Sequence, residues 1–125
     1  MQLAAARIFV RDLPAARDFY RDALGLELRY DGISQGFCRF DSGALQLILE
    51  SVADDADPDE RCLVGRFTGL SFAVRDLLAE YERLRALGVA FTGAPQTQPW
   101  GGQLATLRDP SGNDLQLVQY PARAR

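Results

Sequence analysis

The stretch Val10-Arg11-Asp12-Leu13 decides the fold, because it occurs a second time as Val74-Arg75-Asp76-Leu77. In both copies an apolar stretch comes before it and a Leu-Gly pair follows it. Farther along, the pattern of residues 41–47 returns in residues 109–117, with two additional residues in the second copy. Matched features in the same order indicate an internal repeat of one structural module.

Each half predicts a strand, then a helix, then shorter strands. Strand 4–11 leads to Asp12, a favourable helix N-cap, and Pro14 lies in the first turn, where its missing N–H has no partner to lose. Apolar residues at helical spacing follow, and Gly25 fits a left-handed C-cap. Asp76 and Gly88 occupy the corresponding positions in the second half. The shorter strands are expected at 26–31, 34–41 and 44–51, and at 89–93, 102–108 and 114–120.

We therefore predict an α+β fold of two tandem βαβββ modules, residues 1–52 and 66–121. Between them lies an acidic linker, residues 53–65, in which residues 53–61 hold five acidic residues and one proline. Such a composition is typical of a solvated segment. Residues 122–125 form a tail that we expect to be disordered.

The composition excludes several classes of chemistry. The 125 residues include no His, and all 14 basic residues are Arg. This removes His bases and metal ligands, Ser-His-Asp catalysis, Schiff-base lysines and the lysine of a P-loop. With 17 acidic residues and a net charge of −3, the chain lacks the basic character of a nucleic-acid-binding protein.

The two cysteines, Cys38 and Cys62, are expected to be free thiols in a reducing compartment. The first seven residues lack the basic region and long apolar run of a signal peptide. No stretch approaches the roughly 18 apolar residues that span a bilayer. We therefore expect a cytoplasmic protein with no membrane partner.

Four motifs follow one another in an order that is known from a protein family. They are Val-Arg-Asp-Leu before a helix, Phe19-Tyr20 within it, Leu24-Gly25-Leu26 after it, and Asp109-Pro110-Ser111-Gly112-Asn113 before the last strand. Over about residues 3–120, the chain resembles the vicinal oxygen chelate superfamily, which includes glyoxalase I, bleomycin-resistance proteins and extradiol dioxygenases. The resemblance implies modules that form a cup-shaped mixed sheet around a cavity, within one chain or across a homodimer.

The resemblance also implies where metal-dependent members place their ligands, on the first and last strand of each module. Carried over one position at a time, these positions are Ala5, Gln46, Gly69 and Gln116. Ala and Gly offer no side-chain donor, and two neutral amides are weak ligands for a transition ion. We expect a chain with no metal and no other cofactor, like the bleomycin-resistance members that only bind.

Strand alternation predicts which side chains share the face of these positions. Arg7 is expected to bind a carboxylate or phosphate, or else to pair with Glu50 or Asp114 or to extend into solvent at the end of the sheet. The two glutamines either orient a ligand or bond to each other. Together with Trp100, which is either a lid or an ordinary loop residue, the candidate ligand-binding residues are Arg7, Phe9, Gln46, Ile48, Ser71, Trp100 and Gln116.

One pair of neighbours in the first half stays undecided at this stage. Either Phe37 with Arg39 or Cys38 with Phe40 faces the cavity, and the alternation of this strand fits both choices.

Three functions are compatible with these patterns. The leading hypothesis is a homodimeric, metal-free protein that binds a small molecule and sequesters an antibiotic or a toxic metabolite, with no catalytic residue. The alternative is a lyase, isomerase or dioxygenase-like enzyme with a non-standard site of Glu50, Asp114 and Gln116. The third is an accessory domain whose own side chains fill the cavity.

Overall fold

The computed structural model describes residues 1–122, so the predicted tail lies outside the described residues except for Ala122. The chain divides into two compact units. The first unit comprises residues 1–66 together with residues 110–113. The second unit comprises residues 67–109 and the chain from residue 114 onward. Each unit contains one four-stranded mixed sheet, which confirms the predicted α+β fold.

The sheet of the first unit is built from β1 (Ala5–Val10), β2 (Glu27–Gly32), β3 (Phe37–Asp41) and β4 (Gln46–Ser51). Its strand order is β1-β4-β3-β2, with β1 parallel to β4 and the other neighbours antiparallel. The parallel pair requires the crossover that the first helix supplies.

The helix of the first unit, α1 (Leu13–Asp18), continues through a π-helical turn over Phe19–Ala23. As predicted, the Asp12 side chain accepts a hydrogen bond from the Ala15 N–H at 3.0 Å, and Gly25 adopts a positive φ of 73° after the helix. The buried helix residues are Leu13, Ala16 and Tyr20, and the buried strand residues are Ile8, Val10, Cys38, Phe40, Leu47 and Leu49. The core therefore lies on one face of the sheet.

The acidic segment is not extended throughout, because it contains the short helix α2 (Pro58–Arg61). Asp57 precedes this helix and Pro58 occupies its first position, where a proline is favourable. Val52 and Val64, on either side of the acidic stretch, are buried. The segment is thus held at both ends and exposed between them.

The second unit contains β5 (Phe67–Ala73), α3 (Leu77–Ala86), β6 (Gln96–Thr97), β7 (Gln103–Arg108) and β8 (Asp114–Gln119), in the sheet order β5-β8-β7-β6. Asp76 caps α3 by accepting from the Ala79 N–H at 3.1 Å. The Gln119 side chain also accepts from the Leu77 N–H, at 2.8 Å.

The predicted strand at residues 89–93 is wrong. Its only pairing is an isolated bridge between Phe91 and Leu107, flanked by hydrogen bonds of Ala90 and Thr92 to β7. Gly93 and Pro95 then interrupt the pairing, because glycine weakens a strand and proline has no N–H for the ladder. Pairing to β7 resumes only at the two residues of β6.

The turn of residues 110–113 completes the first unit. Asn113 is buried, and its Oδ1 accepts hydrogen bonds from the backbone N–H groups of Gly65 at 2.8 Å and Arg66 at 3.2 Å. Its Nδ2 donates to the carbonyl of Phe9 at 2.9 Å. The Asp-Pro-Ser-Gly-Asn motif therefore has an architectural role, since it joins the end of β1 to the chain that leads into β5.

No helix within residues 1–122 is long and apolar enough to cross a membrane.

Candidate functional site

The first sheet has one face packed against its helix and one open face. Register pairing aligns the residues of the open face in three rows across β1, β4 and β3. The rows are Ala5, Gln46 and Asp41; then Arg7, Ile48 and Arg39; then Phe9, Glu50 and Phe37. Cys38 and Phe40 are fully buried on the helix face, so Phe37 and Arg39 are the pair that shares the face of Gln46.

Arg7 forms a two-point ion pair with Glu50 on this face. Its Nε donates to Oε1 and its Nη2 to Oε2, both at 2.8 Å. The hydrogen bonding to Glu50, and then the charge of Glu50, raise the pKa of Arg7. The guanidinium carbon also lies 5.2 Å from the centroid of the Phe9 ring. The charge of Arg7 is thus balanced within the protein by Glu50, one of the two carboxylates that the sequence suggested as its partner.

A depression of about 640 Å³ lies at the end of the open face where β1 and β4 begin. Its polar side chains are Arg29, Arg39, Asp41 and Gln46. The turn of residues 43–45 and the N-terminal residues 2–4 complete its wall. Among the predicted ligand-binding residues, Gln46 lines this depression, whereas Arg7, Phe9 and Ile48 lie farther along the same face.

Asp41 accepts hydrogen bonds from two donors. Its Oδ1 accepts from the Gly43 N–H at 2.9 Å, and its Oδ2 accepts from Arg29 Nη2 at 3.1 Å. These bonds, the one from Gly43 first, lower the pKa of Asp41. Arg29 also approaches Glu27, at 3.5 Å. The carboxylate of Asp41 is therefore charged at neutral pH and bound to a neighbour other than Arg39.

Arg39 has a different environment. Its side chain is half-buried, and its Nε is inaccessible and has no hydrogen-bond partner. Within residues 1–122, no carboxylate oxygen lies within ion-pair distance of its guanidinium. A buried N–H without an acceptor is unfavourable, and unsatisfied groups of this kind are uncommon in folded proteins.

Two aromatic residues are neighbours of Arg39 in the sheet. Tyr30 is its register partner on β2, and Phe37 precedes it by two residues on β3. The two rings stack with centroids 5.3 Å apart, and the Tyr30 hydroxyl donates to the Gln35 side-chain carbonyl. Register slips by one residue between Leu28 and Tyr30, which brings Tyr30 opposite Arg39.

The second unit holds the other three candidate residues. Ser71 and Gln116 are register partners, and Gln116 Nε2 donates to Thr106 Oγ1 at 3.4 Å. Gly69 lies in an irregular part of β5 and has a φ of 74°, which an L side chain adopts only under strain. This position therefore favours glycine for its backbone.

Trp100 is half exposed, at 49%, and its ring lies against Gly102 and Tyr120. The centroids of the Trp100 and Tyr120 rings are 6.0 Å apart. The indole thus packs within its own unit.

The positions where the resemblance implies metal ligands do not fit a metal. Ala5 offers a methyl group and Gly69 no side chain, and both remaining groups are neutral amides. Within the described part of the chain, no three Cys, Asp or Glu side chains cluster in a way that could hold a metal. Two carboxylates of the alternative enzyme site, Glu50 and Asp114, are paired with Arg7 and with Arg108 at 3.0 Å.

Sequence reasoning missed Arg29 and Asp41 as site residues and left Arg39 undecided. Residues 37–40 carry aromatic or apolar side chains on both faces, so alternation alone gave no signal. The arginine could have been noticed as the single charged residue in that run. Its lack of a partner depends on contacts from distant strands.

Comparisons with known proteins agree with this architecture. The chain matches the model of the Glyoxalase/Bleomycin resistance protein/Dioxygenase superfamily over residues 2–117. Protein YraH of Bacillus subtilis (strain 168) is 27% identical over 126 residues, which cover 95% of this chain and 98% of that protein.

Two solved structures illustrate the likeness. A superfamily member from Sphaerobacter thermophilus DSM 20745 is 30% identical and has a TM-score of 0.76, covering 95% of this chain and 97% of that one. TnmS3, an antibiotic binding protein from Streptomyces sp. CB03234, is 28% identical and has a TM-score of 0.75, covering 98% of this chain and 97% of that one.

Proposed function

Because the chain belongs to the glyoxalase/bleomycin resistance protein/dioxygenase superfamily, we propose that it is a small-molecule-binding protein that works without a metal. It sequesters an antibiotic or a toxic metabolite, as a homodimer in the cytoplasm. In the first unit, the binding residues are Arg7, Phe9, Gln46 and Ile48 on the open face of its sheet. The second unit has binding residues of its own, Ser71, Trp100 and Gln116.

One observation carries the proposal. Ala5 and Gln46 are register partners on β1 and β4, at the two positions where metal-dependent relatives are expected to place ligands. Ala5 has no donor atom, and Gln46 lines a depression large enough for a small molecule. The strands that would hold a metal in metal-dependent relatives thus offer here an open surface with the amide of Gln46.

The likeness to TnmS3 supports the class of ligand. That protein is an antibiotic binding protein, and the likeness extends over nearly the whole of both chains. The ion pairs of Glu50 with Arg7 and of Asp114 with Arg108 also favour binding over acid–base catalysis, since a carboxylate held by an arginine is a weak base.

Native mass spectrometry of gently purified protein tests the proposal. We expect the mass of a dimer that stays metal-free after dialysis against Zn²⁺, Ni²⁺, Mn²⁺ or Fe²⁺. We also expect an organic ligand, seen either as a co-purified mass or as binding in an antibiotic screen. A stoichiometric metal would overturn it, and turnover of methylglyoxal–thiol adducts would favour the enzyme instead. A monomeric mass would overturn the homodimer alone.

A further inference from the structure

We propose that Arg39 is the anion-recognition residue of the depression, and that the ligand carries a carboxylate attached to a planar, aromatic group. This inference rests on the proposed function and names the chemistry of its ligand. It assigns to Arg39 the role that the sequence suggested for Arg7.

The first argument is the state of the arginines. Six arginines form ion pairs with carboxylates, namely Arg7, Arg17, Arg21, Arg29, Arg83 and Arg108. Of the described arginines without such a partner, Arg39 is the one that is not exposed; the others are Arg11, Arg61, Arg66, Arg75 and Arg85. A half-buried guanidinium is normally paired, because burial removes the water that would otherwise solvate it.

The second argument is the charge of the depression. Its side chains include two arginines and one aspartate, in a protein whose net charge is −3. Asp41 accepts hydrogen bonds from Gly43 and Arg29 and forms no ion pair with Arg39. Arg39 lines the depression without a carboxylate partner among the described residues, so its positive charge matches an oxyanion, and a carboxylate fits the planar fork of a guanidinium with two hydrogen bonds.

The third argument concerns the rest of the ligand. Tyr30 is the register partner of Arg39 and Phe37 precedes it by two residues, and their rings stack on each other beyond the residues that line the depression. Gln46, across from Asp41 in the register, adds an amide that can bond to a carbonyl or hydroxyl group. A flat ring that extends from the carboxylate past Arg39, out of the depression, would reach these aromatic side chains.

Benzoate is a minimal probe, and benzamide is its neutral counterpart with the same ring. We would titrate each into ¹⁵N-labelled protein and follow the arginine Nε–Hε signals, assigning Arg39 by the signal that disappears in R39Q. Benzoate is expected to shift that signal, and benzamide is not. R39Q should weaken benzoate binding by about tenfold or more, the effect of losing a charge-assisted contact.

Two further variants make the result specific. R39K retains the charge without the fork, so its affinity should lie between wild type and R39Q. R11Q removes an exposed arginine just beyond the opposite end of β1, and it should change affinity by less than about twofold. Each variant is folded if the signals in its ¹⁵N NMR spectrum are as well dispersed as those of the wild type.

Three results would overturn the inference. They are equal binding of benzoate and benzamide, undiminished binding by R39Q, and no shift of the Arg39 signal at any benzoate concentration. Each leaves the proposed function intact, because that function fails on a separate measurement, the presence of stoichiometric metal.

Discussion

Arg7 and Glu50 are joined by two hydrogen bonds of 2.8 Å across the parallel strands β1 and β4. The contact is diagonal, since Arg7 pairs in register with Ile48 and Glu50 with Phe9. Their side chains remain partly exposed, at 56% and 29%. The ion pair therefore balances a positive and a negative side chain on the open face against each other.

A double-mutant cycle of this pair is the first prediction. Either R7Q or E50Q alone should lower the free energy of unfolding, because each leaves one charge without its partner. The double variant should lose less than the sum of the two, and the difference should shrink in high salt. Urea unfolding measures all four proteins. Strict additivity would show that the two residues are not coupled.

The second prediction concerns Asn113. N113A removes two acceptor contacts and one donor contact from a buried site, so it should lower the free energy of unfolding by about 2–3 kcal/mol. N113D retains an acceptor for Gly65 and Arg66 but has no donor for the carbonyl of Phe9. It should also lower the free energy of unfolding, because its carboxylate would face that carbonyl. Urea unfolding that leaves N113A as stable as wild type would contradict the architectural role of the turn.

Gly102 gives the third prediction. A Cβ at this position would lie 2.0 Å from the Trp100 ring and 2.6 Å from the Gln119 carbonyl. G102A should therefore displace the indole, change its fluorescence and destabilise the protein by about 1–3 kcal/mol. G93A is the matched control, because a Cβ added to Gly93 would have no atom within 4 Å. Trp100 is the single tryptophan, so the emission reports on this site alone.

The fourth prediction is a pH dependence from Asp41. The pKa of this carboxyl is lowered in the folded protein, so the folded state favours its charged form. Its stabilisation is present above the ordinary aspartate pKa of 3.8 and is lost as the pH falls through the lowered folded value. D41N should thus melt below wild type at neutral pH, and the gap should close in acid. D54N, which changes an exposed residue of the acidic segment, should show no such convergence.

The cysteines provide the fifth prediction. Cys62 is exposed, whereas Cys38 is fully buried and burial raises the pKa of its thiol. A thiol reagent should modify one cysteine rapidly in the folded protein and two in urea, since the thiolate is the reactive form. In C62S, the rapid reaction should be lost. Two rapid reactions in the native wild type would place Cys38 within reach of solvent.

The parts of the fold that depend on local sequence were predictable. Asp12 and Asp76 cap their helices through contacts three residues away, and Gly25 and Gly88 follow the helices with positive φ. These features need no knowledge of distant contacts. The strand at 89–93 failed for the opposite reason: its apolar residues suggested pairing, but Gly93 and Pro95 end it after one bridge.

The candidate site was less accessible to prediction, because it depends on register and partners. Glu50, the partner of Arg7, lies 43 residues away in the sequence and was one of two choices. Arg39 faces the open side because Cys38 and Phe40 pair with buried Leu49 and Leu47. Whether a charged side chain has a partner is a property of the assembled sheet, which alternation along one strand does not contain.

The turn of residues 110–113 makes the first unit discontinuous along the chain. A fragment of residues 1–66 contains all four strands of the first sheet and lacks Asn113, the side chain that joins Phe9 to Gly65 and Arg66. The internal repeat is therefore not a pair of separable building blocks. During synthesis, the four strands of the first sheet leave the ribosome before the turn of residues 110–113. The hydrogen bonds of Asn113 can therefore form only after most of the second half has emerged.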